Sequence, residues 1–240
     1  MDKISLFDKK LLQEVAVSDE QLNSFISRRL AGEPVAKIIS KKGFWKDEFI
    51  VSKDVLDPRP DSETLIEAVL EKFPDKTKAL RILDLGTGSG CLLISLLGEY
   101  KNATGIGIDI SEKALAIANK NKGNKKAEFM QRDMRQDLSD LGQFDIMIAN
   151  PPYIPTAEIQ TLEQDVKDYD PLLALDGGTD GLDFYHALTK QHLAPTLFIE
   201  IGKDQEPQII PLFEAAGWHF VQSWKDLSGI TRILYFQKSL

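Results

Sequence analysis

The most chemically informative segment of the chain is the tetrapeptide Asn150-Pro151-Pro152-Tyr153, which follows an apolar run. Two consecutive prolines stiffen a loop and contribute carbonyl oxygens without competing amide hydrogens. A planar NH2 group has two hydrogens to donate, and the Asn150 side-chain oxygen and the Pro151 carbonyl oxygen could accept one each. Tyr153 could pack against the flat amide or base that carries this nitrogen. We predict that all four residues bind substrate, with Asn150, Pro151 and Tyr153 as catalytic residues; the alternative is a rigid turn that only ends a buried strand.

A second segment, residues 86–90, has the composition of a loop that approaches a ligand closely. It follows a strand pattern and precedes a helical one, where glycines allow the backbone to turn sharply. Its spacing, Gly-x-Gly-x-Gly, differs from that of dinucleotide-binding loops, and it lacks the Gly-Lys-Ser/Thr ending of a phosphate-binding loop. An NAD or ATP site is therefore disfavoured. The residues predicted to contact a cofactor here are Gly86, Thr87, Gly88, Ser89 and Gly90.

One acidic residue ends the next strand pattern and another comes shortly after the strand pattern that follows it. Asp109 could accept both hydroxyls of a ribose, although it could instead cap the following helix. Asp133 could accept the exocyclic amine of adenine beside the polarizable Met134, although it could be a solvated loop acid. Because parallel strands end at one edge of a sheet, these residues and Asn150 predict a single site for a nucleoside-bearing sulfonium, S-adenosylmethionine. Its activated methyl group requires no strong general base, so positioning of the substrate nitrogen would supply the rate.

The elements that must position these residues alternate between strand and helix patterns. The predicted strands are 80–85, 104–109, 127–131, 144–149, 197–201, 218–224 and 231–236. The predicted helices are 61–73, 91–100, 112–121, 182–192 and 205–216, and the acidic run 158–170 in a long insertion is read as a solvated helix. This alternation predicts an α/β fold with a doubly wound, mostly parallel seven-stranded sheet, closed by an antiparallel hairpin.

A shorter part precedes the sheet. Residues 18–30 predict a helix that Ser18 caps, and β-type residues on both sides of 41–43 predict a hairpin with its turn there. We predict a truncated N-terminal helical segment over 1–35, a β-hairpin linker over 36–57 and an S-adenosylmethionine-dependent methyltransferase domain over 58–240. Arg59, near this boundary, could orient the active-site loop or brace the junction.

The composition limits the classes of partner. Of 240 residues, 42% are hydrophobic and 28% charged, as in ordinary globular proteins. The net charge of -8 disfavours binding to the phosphate backbone of a nucleic acid, so we predict no direct nucleic-acid partner. A single cysteine, Cys91, fits a reducing cytoplasm, and no segment approaches the ~20 apolar residues that cross a bilayer. We therefore expect a cytoplasmic monomer, without a metal because the three histidines lack ligand spacing.

The chain resembles the HemK/PrmC family, glutamine methyltransferases that modify class I peptide-chain release factors at a Gly-Gly-Gln loop. Besides the tetrapeptide and the glycine loop, the resemblance is carried by segments 28–34, 43–45, 58–63, 171–175, 177–181, 200–202 and 225–229. It implies the class I S-adenosylmethionine-dependent methyltransferase fold and methyl transfer to a glutamine side-chain amide, with release factors as partners. It also implies cofactor contact by residues 86–90, Asp109, Met134 and Asn150, and substrate contact by 150–153.

The chain departs from the family pattern in two places. A tryptophan often stands where Met134 is, so we expect weaker stacking there. The family usually has a bundle of several helices upstream, whereas fewer than forty residues precede the hairpin here, so we expect reduced contacts with release factors.

Three other functions stay open at this point. One is methylation of a glutamine in a ribosomal protein. Another is methylation of adenine in nucleic acid, which shares the tetrapeptide but requires an enzyme that flips a base and holds a polyanion. The last is a cofactor-binding module without activity. The net acidity argues against the second, and the intact tetrapeptide argues against the third.

Overall fold

The first part of the chain is helical in a computed structural model, which describes residues 4–238. Its helices are α1 (Leu6–Val15), α2 (Asp19–Leu30) and α3 (Val35–Ile39). As predicted, Ser18 caps α2, and its hydroxyl accepts a hydrogen bond from the backbone N–H of Gln21 at 3.2 Å. The buried side chains of Leu12, Phe25 and Ile38 form a small cluster that holds the three helices together.

A β-hairpin follows, but the predicted position of its turn is wrong. Its strands are β1 (Lys41–Phe44) and β2 (Asp47–Ile50), so residues 41–43 lie within a strand and the turn is at Trp45 and Lys46. Residues 36–39, expected to be part of the hairpin linker, belong to α3. The reason is tertiary: Ile38 is buried against the other helices, and Phe44 and Phe49 pack edge-on with ring centroids 6.1 Å apart in the main core. This burial sets the register, whereas the prediction relied on Gly43 as a local turn signal.

The remaining strands form one sheet of seven within the described range, which confirms the predicted fold class. They are β3 (Arg81–Leu85), β4 (Thr104–Asp109), β5 (Ala127–Gln131), β6 (Ile146–Ala149), β7 (Thr196–Glu200), β8 (His219–Lys225) and β9 (Thr231–Gln237). Their order is β5-β4-β3-β6-β7-β9-β8. Strands β3 to β7 are parallel, and β9 is antiparallel to both of its neighbours.

Helices cover both faces of this sheet. They are α4 (Glu63–Lys72), α5 (Cys91–Glu99), α6 (Glu112–Asn121), α8 (Asp183–Leu188) and α9 (Glu206–Ala215), while α7 (Gln164–Tyr169) lies in the insertion after β6. Successive residues of β3 point to opposite faces, so Ile82 joins the core under α4 and α5, and Leu83 joins the core under α8 and α9. Burial on both faces explains why the central strands are continuous apolar runs.

Helix α8 stops at Leu188, four residues before the predicted end at His192. The chain turns there because the Gln191 side chain is buried and donates hydrogen bonds to the carbonyl oxygens of Met134 (3.0 Å) and Gln136 (2.8 Å). Among residues 4–238, no helix combines the length and apolarity that crossing a membrane requires.

Candidate active site

The carboxyl ends of β3, β4 and β6 surround one cavity of about 380 Å³, a volume typical of small-ligand sites. The predicted site residues in its wall are Gly86, Thr87, Gly88, Ser89, Asp109, Asp133, Met134, Asn150 and Pro152. The glycine loop (residues 86–90) and the tetrapeptide 150–153, called the proline corner below, therefore lie at the same edge of the sheet. Three predicted residues, Gly90, Pro151 and Tyr153, do not line this cavity.

Asp109, at the end of β4, ties the glycine loop to the sheet. Its Oδ2 accepts the backbone N–H of Gly88 at 2.9 Å and its Oδ1 accepts that of Ser111 at 2.8 Å. Burial raises the pKa of this carboxyl, and the backbone hydrogen bonds oppose that rise. Helix α6 is capped by Ser111, whose hydroxyl accepts the N–H of Ala114, so Asp109 is not the cap. A carboxylate has lone pairs left after these bonds, so Asp109 can still accept ribose hydroxyls in the cavity.

Asp84, to which sequence reasoning gave no role, is buried directly before the glycine loop. The hydroxyl of Thr87 donates to its Oδ2 at 2.6 Å, whereas Oδ1 has no hydrogen-bond partner within residues 4–238. Burial raises the pKa of this carboxyl to about 7. A buried acceptor without a partner is costly, and Asp84 is fully buried without lining the cavity. An acid near the end of a buried strand, two residues before the first glycine, was the available sequence signal.

Gly90 does not line the cavity and has a packing role, while its predicted cofactor contact stays a prediction. It begins α5 with a φ of 81°, and a Cβ at this position would lie 2.8 Å from Ile94 and 3.1 Å from Phe129. The close approach of these side chains explains why glycine is needed there. Next to it, burial raises the pKa of the Cys91 thiol to about 12, so this thiol stays protonated.

The adenine side of the cavity differs in detail from the prediction. The guanidinium of Arg135 donates to both oxygens of Asp133, at 2.9 and 2.8 Å, and this pairing lowers the pKa of the carboxyl. Asp133 is thus an ion-paired wall residue and not a free acid. Met134 is buried, and its Cε lies 2.7 Å from the place that a Cβ of Gly86 would occupy. The thioether therefore packs directly under the glycine loop.

The proline corner is anchored by side chains from distant parts of the chain. The Nδ2 of Asn150, directly after β6, donates to the hydroxyl of Ser62 at 3.1 Å. The Nε2 of Gln205 donates to the carbonyl oxygen of Tyr153 at 3.0 Å. Burial raises the pKa of the Tyr153 hydroxyl to about 12, so it stays neutral. The corner is therefore a fixed structure with the amide oxygen of Asn150 directed away from Ser62.

The second glycine segment, residues 177–181, packs against this corner. A Cβ on Gly177 would lie 2.8 Å from the Cα of Tyr153, and a Cβ on Gly181 would contact the Tyr153 carbonyl oxygen. Gly181 also has a φ of 77°, which disfavours other residues. These glycines let the insertion return close enough to brace the proline corner.

Arg59 pairs with the insertion and lines the cavity as well. Its Nη2 donates to the Oδ2 of Asp170 at 2.6 Å. The Nζ of Lys37 lies 3.2 Å from Asp170 Oδ1 and 2.8 Å from Asp57 Oδ1, and all three of these side chains are buried. The interpretation of 158–170 as a solvated helix is therefore wrong at its end: α7 has no buried residues, but Asp170 is in a buried ion-pair network because cations of two other segments reach it.

Known proteins that are similar to this chain are methyltransferases. A family model described as a methyltransferase domain matches residues 76–176. The chain is 44% identical to a release factor glutamine methyltransferase of Caulobacter vibrioides, over 89% of this chain and 76% of that protein. It is 41% identical to that of Bradyrhizobium diazoefficiens, over 95% of this chain and 80% of that protein. Among solved structures, a magnesium protoporphyrin IX methyltransferase of Synechocystis PCC 6803 with bound SAH has a TM-score of 0.52 and 19% identity, over 74% of this chain and 83% of that one. This structural likeness supports the fold alone.

Proposed function

The chain belongs to the family of release factor glutamine methyltransferases, and from that premise we propose that it methylates the glutamine side chain in the Gly-Gly-Gln motif of class I release factors. The resemblance inferred from the sequence is thereby confirmed. The observation that carries the proposal is that Asn150 and the glycine loop line one cavity at the same sheet edge. The cofactor is S-adenosylmethionine, which, when bound, supplies an electrophilic methyl group on a sulfonium.

The residues of the cavity suit this cofactor. Asp109 accepts the ribose hydroxyls, and Asp84, which is buried behind the glycine loop and does not line the cavity, favours the cationic amino group through its charge. Met134 provides an apolar surface for the adenine ring, and Asp133 accepts its exocyclic amine while retaining its bond to Arg135. These acidic side chains also favour a ligand that carries positive charge.

The proline corner orients the glutamine. An amide nitrogen is a weak nucleophile because its lone pair is shared with the carbonyl group. One N–H group donates to the Asn150 side-chain oxygen in the cavity wall, and the other reaches the carbonyl oxygen of Pro151, which does not itself line the cavity. Together these acceptors would hold the nitrogen toward the methyl group. The carbon–nitrogen bond forms as the carbon–sulfur bond breaks, and the nitrogen then releases one proton. Neutral Tyr153, which does not line the cavity, supports the corner from its buried side.

The rim of the cavity offers a place for the protein substrate to enter. Leu172 and Leu173 line the cavity and are 58% and 69% exposed, so they present an apolar edge beside the catalytic corner. A glycine-rich loop carrying glutamine can approach such an edge closely. With release factors as substrate, we expect the enzyme to act in the cytoplasm as a monomer and without direct nucleic-acid contact.

The test combines a substrate panel with one variant. The protein is incubated with labelled S-adenosylmethionine and purified release factors, and the methyl group is located by mass spectrometry. The control substrate has asparagine in place of the motif glutamine. Asn150→Ala should bind cofactor normally in calorimetry but lose about 100-fold or more in kcat, because the nitrogen loses an orienting acceptor.

Two outcomes would contradict the proposal. Near wild-type turnover in Asn150→Ala would exclude the orienting role of this side chain. Methylation of a ribosomal protein or of adenine in nucleic acid, with release factors left unmodified, would exclude the proposed substrate.

A further inference from the structure

A buried carboxylate, Glu200, lies next to the proline corner. It ends β7, and β6 pairs in parallel with β7 so that Ala149 is opposite Ile199. The next residues along the two strands, Asn150 and Glu200, therefore leave the sheet side by side. Glu200 is 2% exposed, and its Oε2 has no hydrogen-bond partner in the part of the chain that is described. Keeping a carboxylate buried with a partnerless oxygen is costly in free energy.

Ser62 connects this carboxylate to Asn150. Its side chain is 3% exposed, and its Oγ accepts the hydrogen bond from Asn150 Nδ2 at 3.1 Å. A serine hydroxyl that accepts one bond still has its own hydrogen to donate. Glu200, beside Asn150 at the ends of the paired strands, is an acceptor toward which this hydrogen can turn. Burial raises the pKa of Glu200 to about 7, and the polar side chains of Ser62 and Asn150 oppose that rise.

The direction of these bonds matters for Asn150. The oxygen and nitrogen of a side-chain amide have nearly the same shape, so only the surrounding donors and acceptors decide which one faces the cavity. A reversed Asn150 would point N–H groups at the N–H groups of the substrate. Acceptors on the inner side prevent this reversal, because they bind the NH2 end.

We propose that Glu200 is a positioning residue for methyl transfer, which acts through Ser62 to hold the NH2 end of Asn150 inward and its oxygen toward the substrate amide. This inference rests on the proposed function. Glu200 itself touches neither substrate nor cofactor in this scheme. Deprotonated Glu200 only accepts hydrogen bonds and so fixes the direction of the chain from Asn150 to Ser62. Protonated Glu200 can donate to Ser62 and removes that constraint.

The groups around Glu200 leave it free to titrate near neutral pH. Arg232 attracts the carboxylate and Asp61 repels it, while the nearby hydroxyls of Tyr153 and Tyr185 are neutral because burial raises their pKa values. The Cys91 thiol also faces this region and stays protonated. With saturating cofactor, kcat should therefore rise with pH through about 7 and then level.

The experiment measures kcat, KM for release factor and cofactor affinity of the full chain from pH 5.5 to 9. In Glu200→Gln, kcat at high pH should fall about 10- to 100-fold, with KM and cofactor affinity unchanged, and the rise near pH 7 should disappear. The matched control is Glu214→Gln, the same change at an exposed carboxylate of α9. Ser62→Ala should give a similar loss, and the double variant should be no worse than either single one.

The outcomes separate this inference from the proposed function. If the wild-type protein does not methylate release factor, the proposed function fails. If it does, and Glu200→Gln keeps the wild-type kcat and pH profile, only the positioning role is overturned. A rise near pH 7 that persists in Glu200→Gln would assign it to another group such as Asp84 and overturn the inference. A fall in kcat accompanied by a rise in KM and by weaker cofactor binding would show a structural role and would also overturn the inference. If Glu200→Gln does not fold, the pH profile of Ser62→Ala provides the test, and a rise near pH 7 that persists in it would overturn the inference.

Discussion

The substitution Lys37→Met tests the buried junction between the N-terminal helices and the catalytic domain. The Lys37 side chain is 3% exposed, and its ammonium lies 2.8 Å from Asp57 and 3.2 Å from Asp170. It also donates to the carbonyl oxygens of Ser52 and Val55, at 2.8 and 2.6 Å. Methionine keeps the apolar stem but removes the charge, so Asp57 loses its cation while Asp170 retains Arg59.

The expected loss follows from this asymmetry. Removing one partner of a buried ion pair costs about 3–5 kcal/mol, because the remaining charge stays buried without compensation. That is a large share of the roughly 5–15 kcal/mol by which a protein is stable. With a urea m-value of about 2–3 kcal/mol/M, the unfolding midpoint should fall by roughly 1–2 M.

Urea unfolding followed by tryptophan fluorescence and by circular dichroism measures this loss and checks that the transition is two-state. The matched control is Lys41→Met, which removes an exposed ion pair with Glu48 and should cost less than about 1 kcal/mol. Adding Asp57→Asn to Lys37→Met should restore part of the lost stability, because it neutralises the carboxylate left behind. Equal small losses in the two lysine variants would refute the reasoning, since they would mean that the Lys37 network is hydrated in solution.

Three further predictions concern the site. Asp109→Ala should weaken cofactor binding about 10- to 100-fold in calorimetry, because a ribose would lose its acceptor; unchanged affinity would exclude that contact. Gly181→Ala should lower kcat by displacing the Tyr153 carbonyl, whereas Gly229→Ala, with a similar φ of 81° but open space around it, should not; equal kcat values would argue against bracing. Because the pKa of Asp84 is raised to about 7, the folded state binds its proton more tightly than the unfolded chain, so the free energy of unfolding should fall as pH rises from about 4 to about 7. Asp84→Asn should remove this part of the slope in urea unfolding without cofactor, and an unchanged slope would contradict the assignment.

The fold could be predicted from the sequence wherever local patterns and tertiary packing agree. The bounds of α6 and of β4 match the prediction, because capping, apolar spacing and burial on one or both faces all point to the same elements. The hairpin turn could not be predicted, because Gly43 gives a local signal that the burial of Phe44 and Phe49 overrides. The end of α8 was missed for a similar reason, since Gln191 is held by carbonyl groups of a distant loop.

The site residues, too, could be predicted only in part from the sequence. Residues that follow strand ends could be placed near each other from the sequence, because the carboxyl ends of parallel strands meet at one edge. Buried charges could not be assigned in this way. Asn150 bonds to Ser62, 88 residues earlier, and stands beside Glu200, fifty residues later in the chain, so neither neighbour is visible from local spacing.

The segments that surround the proline corner hold it in place before the substrate binds. The corner receives support from three sides: Ser62 at the start of α4, Gln205 before α9, and Gly181 in the insertion. Each of these contacts fixes an atom of the tetrapeptide before substrate arrives, so the ordering entropy of the loop is already lost in the free enzyme. The binding energy of the incoming glutamine can then be used to align its nitrogen with the methyl group. This predicts that loosening the corner lowers kcat more than it weakens cofactor binding, since the cofactor site that we propose is built from the ends of β3 and β4 and not from the tetrapeptide alone.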